Sequence, residues 1–482
     1  VVNASLRALP LLFFSIAACN PPPGPRFVAP LRYGSTPAAP VEPFRAIVPD
    51  AAPVTPSIAL RWHTSTLPNG LRIAIHERRG VPTVAVQLVF ARGSAEMPGQ
   101  VDTLGTLGRI LDISAQDVKL AQLGATQQPF ISMDGSGIGA RGASSDAAEI
   151  IALVAETASR PNLAPPLIKD VKARWSATFH AGFSINEAVM RNALAVTFGN
   201  GHPYSFVRPH KDHIDALGAE QVAAAHARLF HPGHALLVVV GDVDAAAIQA
   251  AAQPLGEWKP AAASGPRLSP PTPWPSPASI VIVEARLTQT KGAVVGRGPG
   301  AADPDYAAFA VLTRALGGRS SRLREEVRVE RGAAYDFGSD LIPMRAASLF
   351  MVKGAFEPEK AAPALDAILA SIKEARTHGM PAADVERAKA TLIADWRSAI
   401  ASTAGLASLA AGAFTEDAPL ESITDYPARI AAVTGAQVQR AAARWMAASE
   451  LRVVVVGDAA TKAALSKLGL GEVATRDVWG ER

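Results

Sequence analysis

The chain has 482 residues, 49% hydrophobic and 19% charged, with a formal net charge of +4. That length and apolar content suffice for two or more packed cores and exclude a largely disordered protein. Lys plus Arg (47) nearly balance Asp plus Glu (43), and no basic run interleaves with aromatics, which argues against a nucleic-acid partner.

The chain opens with a segment, Leu6 to Cys19, in which Arg7 precedes an apolar stretch and then small residues. This is the layout of a secretory signal peptide over 1–19. Ile16-Ala17-Ala18-Cys19 also has the form of a bacterial lipobox, where cleavage before Cys19 frees its thiol for a lipid. Two plainer readings stand beside it: an ordinary signal peptide with a chance cysteine, or a buried N-terminal helix. Cys19 is the only cysteine, so no intramolecular disulfide is possible and stability has to come from packed cores. Asn20, not an aspartate, follows it, which points to a lipid-anchored protein of the outer membrane facing the periplasm. No later run of about eighteen apolar residues occurs, so the lipid is the only membrane attachment expected. Residues 20–60 are rich in Pro and Ala and read as an extended tether.

Past the tether, Asn69-Gly70 supplies a turn before a strand at 71–75, and Gly80-Val81-Pro82 separates it from a second strand at 83–90. Leu104, Leu107 and Leu111 recur at helical spacing, so 103–112 is predicted to be an amphipathic helix. Residues 146–160 and 217–230 read as helices as well. A Pro-rich stretch over 259–278 reads as an interdomain linker. Beyond it, strands are predicted at 280–283 and 292–296, and helices at 304–316, 360–376 and 382–400. Asp303-Pro304 offers an N-cap followed by Pro at the first helical position.

The two blocks repeat. Leu236 to Asp242 and Leu451 to Asp458 share an apolar run ending in Gly-Asp, with Gly241 and Gly457 separated by 216 residues. Gly218-Ala219-Glu220-Gln221-Val222 and Thr434-Gly435-Ala436-Gln437-Val438 stand at the same offset. Two motifs in one register imply a duplicated domain. The expected fold is therefore α+β: two homologous α/β domains, 61–258 and 279–472, each a sheet with helices on one face.

At this point the sequence resembles the insulinase/pitrilysin (inverzincin) family of metallopeptidases. The matching pieces of the first domain are Leu67-Pro68-Asn69-Gly70-Leu71, Arg92-Gly93-Ser94-Ala95-Glu96, Gly201-His202-Pro203-Tyr204 and the run ending at Asp242. Those of the second are Asp303 to Tyr306, Gly317-Gly318-Arg319-Ser320-Ser321-Arg322-Leu323 and Arg328 to Tyr335. They cover about 60–470 in order. The resemblance implies a half-clam of two domains. Active members carry H-x-x-E-H on the helix after the Gly-Ser segment: two His on one helix face share Zn²⁺ and the Glu takes a proton from the metal-bound water. A third, carboxylate ligand follows on a later helix.

Here Gly105, Gly108 and Arg109 fall at those three positions. Slipping the register does not help, because no His occurs between His76 and His180, and Val171 to Ser184 contains no Asp or Glu. Among the remaining histidines of the first domain stands the pair His210-x-x-His213, in a loop-like stretch with no obvious third ligand. No metal and no catalytic residue is therefore assigned to this chain.

The second domain keeps what the first has lost. Arg328 and Tyr335 match an Arg/Tyr pair that the family presents to the catalytic centre; guanidinium and phenol are donors suited to a developing oxyanion. The bland alternative is a surface Arg beside a half-buried Tyr. The Gly317–Arg322 loop, with Gly317, Gly318 and Arg322, is expected to line the substrate chamber, although a helix C-cap and turn would leave the same trace. His202-Pro203-Tyr204 is assigned to structure. The resemblance implies the zinc-less subunit of a two-chain member, such as the processing peptidases, contributing substrate-binding groups to a zinc-bearing (H-x-x-E-H) partner that hydrolyses peptides. A stand-alone envelope binding or scaffold lipoprotein, and last an active zinc peptidase with an altered metal site, are the alternatives.

Overall fold

The computed structural model describes residues 58–178, 184–199, 201–259, 279–285, 287–319, 321–467 and 471–481. The signal peptide with Cys19, nearly all of the 20–60 tether, residues 260–278 of the linker, His180 and Ser320 lie outside the described residues.

The first copy contributes strands β1 (His63–Thr66), β2 (Arg72–Glu77), β3 (Thr83–Phe90), β4 (Thr126–Ile131), β5 (Ser136–Ala143) and β6 (Ala235–Gly241). Its helices are α1 (Val101–Asp112), α2 (Ala115–Gln122), α3 (Ala147–Ser159), α4 (Pro165–Thr178), α5 (Ile185–Phe198), α6 (Lys211–Ala216), α7 (Ala219–Leu229) and α8 (Ala245–Ala252). The second copy has β7 (Ile280–Glu284), β8 (Thr290–Pro299), β9 (Ala334–Pro343), β10 (Ala347–Phe356), β11 (Arg452–Gly457) and β12 (Val473–Arg476). Its helices are α9 (Tyr306–Gly317), α10 (Arg322–Arg324), α11 (Pro358–Thr377), α12 (Ala382–Ile400), α13 (Thr403–Thr415), α14 (Glu421–Ala431), α15 (Gly435–Trp445) and α16 (Ala459–Ser466). β12 adds an edge strand beyond residue 472.

Two six-stranded mixed sheets result, ordered β1-β2-β6-β3-β5-β4 and β12-β7-β11-β8-β10-β9. The repeat motifs land on equivalent elements. β6 runs parallel to β2 and antiparallel to β3, as β11 does to β7 and β8. α7 and α15 both start at a return hydrogen bond from the third helical residue: Gly218 N–H donates to Gln221 Oε1 and Thr434 N–H to Gln437 Oε1, each at 2.8 Å. Thr434 completes a capping box through its own hydroxyl, which Gly218 lacks. The sequence placed the start of α9 one step early. Asp303-Pro304 forms the turn ahead of it, with Asp303 Oδ1 accepting from Asp305 N–H at 2.8 Å, and Asp305 is the cap.

Each sheet carries its own helices on one face, and that face forms the main core of its copy. The reverse face is not bare. In sheet one, Val84, Val86 and Leu88 face the copy's own helices, while Ala85 and Val89 face Leu406, Ala407 and Ala410 of α13 from the second copy. In sheet two, Val281, Val283, Val454 and Val456 pack against Ala188, Val189, Ala193 and Val196 of α5 from the first copy. The exchange is reciprocal, and it explains why β6 and β11 are unbroken apolar runs: both faces are covered. It also explains the apolar α13, since among the described residues no single helix is long and apolar enough to cross a membrane.

A polar joint ties the copies together. Asp134, in the β4–β5 turn, accepts from the Tyr204 hydroxyl at 2.9 Å and from the Arg345 backbone N–H at 2.8 Å, while Ala346 N–H donates back to Tyr204 at 3.2 Å. Burial and the Asp134 carboxylate push the Tyr204 phenol above its usual pKa, so it stays a donor. His202 Nδ1 accepts from Tyr204 N–H at 3.0 Å, which makes His202-Pro203-Tyr204 a strut between the copies.

Candidate functional site

α1 is set in place by charges at its start. Arg92 and Glu96, both nearly inaccessible, pair at 3.1 Å, and Arg228 of α7 approaches Glu96 at 3.6 Å. The Arg92-Gly93-Ser94-Ala95-Glu96 motif is thus the mount for the helix. Asp102, in the first turn of α1, accepts from His210 N–H at 2.9 Å and lies 3.4 Å from His213 Nδ1. A carboxylate does therefore stand beside the His210–His213 pair, which the sequence did not show. Yet among the described residues no group of three or more His, Cys, Asp or Glu is arranged to hold a metal.

The cleft-facing side of α1 carries Gly105, Gly108 and Arg109. Across from it, α4 presents Trp175. The two helices are so close at this point that a Cβ on Gly105 would fall 2.4 Å from the tip of the Trp175 ring. Trp175 therefore requires glycine at 105. Gly108 has no such tenant, its nearest neighbour to a built Cβ being Ile131 at 4.0 Å. The Arg109 guanidinium carbon lies 4.2 Å from the Trp175 ring centre, and its Nη1 donates to Gly105 O at 3.1 Å. Burial lowers the Arg109 pKa, with Asp112 opposing. An indole and a guanidinium cannot ligate Zn²⁺, so the residues present at these positions do not fit the metal.

This wall opens on a cleft of about 1330 Å³. Pro129–Ile131 of edge strand β4 form one side. The other side is Glu187 and Arg191 of α5, Phe206, and Trp479 from the C-terminal segment. Arg191 lies between two rings, 4.3 Å from Trp479 and 5.3 Å from Phe206, and pairs with Glu187 at 3.1 Å. Its Nη1 is buried without a hydrogen-bond partner. Trp175, Arg191, Phe206 and Trp479 went unnoticed in the sequence. Trp175 lies inside the window searched for a carboxylate, and a bulky aromatic there is the one signal the sequence carried.

The second-domain candidates stand elsewhere. Gly317 ends α9 and backs onto Ser339 of β9, and Gly318 caps the helix. Ser321 accepts from Arg324 N–H to start α10, whose Arg322 pairs with Glu374 at 3.5 Å. A π-helical turn, Glu325–Glu330, then leads Arg328 back toward β9, its guanidinium carbon 5.9 Å from the Tyr335 ring centre. Tyr335 is 77% exposed. The structure thus brings Arg328 and Tyr335 together on an exposed surface. Neither they nor Gly317, Gly318 and Arg322 line the α1 cleft.

Residues 216–392 match the family signature described as peptidase M16 inactive domain. Over that stretch the chain carries the M16 signature, and its fold as a whole is that of solved M16 proteins. Among solved structures, the peptidase M16 inactive domain from Pseudomonas fluorescens is 22% identical with a TM-score of 0.73, covering 83% of this chain and 98% of that one. A protease from Helicobacter pylori is 18% identical with a TM-score of 0.72, covering 83% and 100%. At these identities the likeness of the solved structures is one of fold. No curated protein matches the chain. The M16 signature spans the end of the first copy and the second copy as far as α12, including Arg328 and Tyr335.

Proposed function

We propose that this chain is the non-catalytic, substrate-binding subunit of a two-chain peptidase of the cell envelope, held there by a lipid on Cys19. The observation that carries the reading is its asymmetry. The α1 positions read as a lost zinc motif face Trp175, with Arg109 over its ring, whereas half-buried Arg328 and exposed Tyr335 stand near each other on the second copy. A guanidinium and a phenol held side by side are donors for a peptide carbonyl whose oxygen gains charge in another subunit's active centre. That centre, with zinc on an H-x-x-E-H helix, belongs to the partner; this chain brings the peptide and closes the chamber.

The test is reconstitution. The purified chain, checked for metal, is assayed for peptide hydrolysis alone and with an H-x-x-E-H chain co-purified from the same envelope. Activity is expected only in the mixture. Arg328→Ala or Tyr335→Ala should lower kcat of the mixture roughly 10²-fold or more, the size of losing an oxyanion donor. Hydrolysis by the isolated chain overturns the proposal. An inert mixture with no co-purifying peptidase favours a stand-alone binding lipoprotein.

A further inference from the structure

The wall that replaced the metal site has a binding chemistry of its own. A cleft of about 1330 Å³ is large enough for several residues of extended peptide. Its lining is mostly apolar, with Leu104, Phe130, Ile131 and Phe206 along the sides. Into that lining comes one guanidinium with an unmatched charge. The Arg109 guanidinium lies over the Trp175 ring and gives a single N–H to its own helix, and no carboxylate stands within ion-pair distance of it among the described residues, Asp112 acting on it only from farther off. Stacking covers the flat face of a guanidinium and leaves its edge, where the N–H donors lie, for a planar acceptor. Carboxylates are not absent from the lining. Glu187 is already paired with Arg191, and Asp112 is exposed at the end of α1. Neither closes the edge of Arg109.

We infer that the Arg109–Trp175 stack is an anchor for an acidic side chain in an extended, apolar peptide segment lying in this cleft. An internal Asp or Glu is inferred in preference to a chain end, because the same lining supplies several apolar side chains, Leu104, Phe130, Ile131 and Phe206, to cover its neighbours. The carboxylate would take two parallel hydrogen bonds from the guanidinium edge, and the apolar neighbours of the acidic residue would cover Phe130, Ile131 and Phe206. This inference rests on the substrate-binding role proposed above and gives it a sequence preference.

The full chain, without any partner, is titrated into dye-labelled, C-terminally amidated peptides of apolar residues around one central Glu, and binding is read by fluorescence anisotropy. The Gln version of the peptide is expected to bind about 10-fold more weakly, the scale of a charge-assisted pair. Arg109→Gln should abolish that preference, so that the Glu and Gln peptides bind alike, and Arg109→Lys, which keeps the charge without the planar fork, should retain only part of it. Equal binding of Glu and Gln peptides by the parent chain overturns the inference, as does a preference that survives Arg109→Gln. A preference that follows a free C-terminus on the Gln peptide, in place of the internal Glu, overturns it too. Because the partner is not in the assay, the two proposals fail separately. A mixture that hydrolyses peptides beside an isolated chain indifferent to Glu sinks this anchor and leaves the two-chain reading standing.

Discussion

The helix pairs α1/α4 and α9/α12 occupy the same place in the two copies, and the first opens on a large cleft. Gly105 and Trp175 meet across the first pair, and beside them lies a cavity of about 1330 Å³. The second pair closes: Arg314 of α9 reaches Asp395 of α12 at 2.8 Å, and the hollow between the helices holds about 10 Å³. α9 buries Phe309, Val311, Leu312 and Leu316 into its core, where α1 spends six positions, Gly105, Gly108 and Arg109 among them, on the cleft. The duplication preserved the backbone plan. Whether a site exists was decided by side-chain size at the facing positions, which is why one fold hosts a site in one copy and solid packing in the other.

The comparison can be broken at the joint. Asp134→Ala leaves the buried Tyr204 hydroxyl and Arg345 N–H without their acceptor and removes the carboxylate 3.8 Å from the Arg345 guanidinium. Losing one partner of such a buried network costs about 3 kcal/mol. This is the largest effect expected, seen as a lower urea midpoint, and as separate unfolding of the copies if they come apart.

The α1 glycines sharpen it. Gly105→Ala drives a methyl into Trp175 and is expected to destabilise by about 1–3 kcal/mol despite the better helix former. Gly108→Ala meets only ordinary contact and should stabilise by up to about 1 kcal/mol. Opposite signs three residues apart, measured by denaturant titration, are the signature of close α1–α4 packing at Gly105 alone; equal effects would refute it.

A pH dependence is expected at the end of α13. Burial, and then the Asp134 carboxylate, raise the Glu416 carboxyl to about 7 from 4.5, and Glu416 also faces the Tyr306 phenol. The fold prefers the protonated acid. Its contribution is full below 4.5 and declines as pH rises to about 7, because the unfolded chain ionises first. Glu416→Gln should therefore raise the melting temperature relative to the parent at pH 8 and leave it nearly unchanged at pH 5. A gain of the same size at both values would show that ionisation is not involved.

Much of the plan was written locally. β3 at 83–90 and α12 at 382–400 stand where their patterns put them, because β-branched runs and helical spacing report on the element itself. β5, Ser136–Ala143, gave no signal: with three glycines and two alanines it is a strand only because β3 and β4 flank it. α5 and α13 escaped for a related reason. Their small apolar residues carry no narrow stripe, since they lie on the broad reverse face of a sheet from the other copy.

By itself the sequence determined the duplication, the α+β class, and the lack of His, Asp or Glu where an M16 zinc site needs them, for these depend on order and residue type along one segment. Only the tertiary structure decided what filled the gap. Trp175 and Arg109 are 66 residues apart, and their stack exists because α1 and α4 cross at a glycine. The exchange of α5 and α13 and the Asp134–Tyr204–Arg345 joint were decided there as well. Contacts between distant segments are set by which surfaces must be covered once the sheets have formed, and no local pattern encodes that pairing.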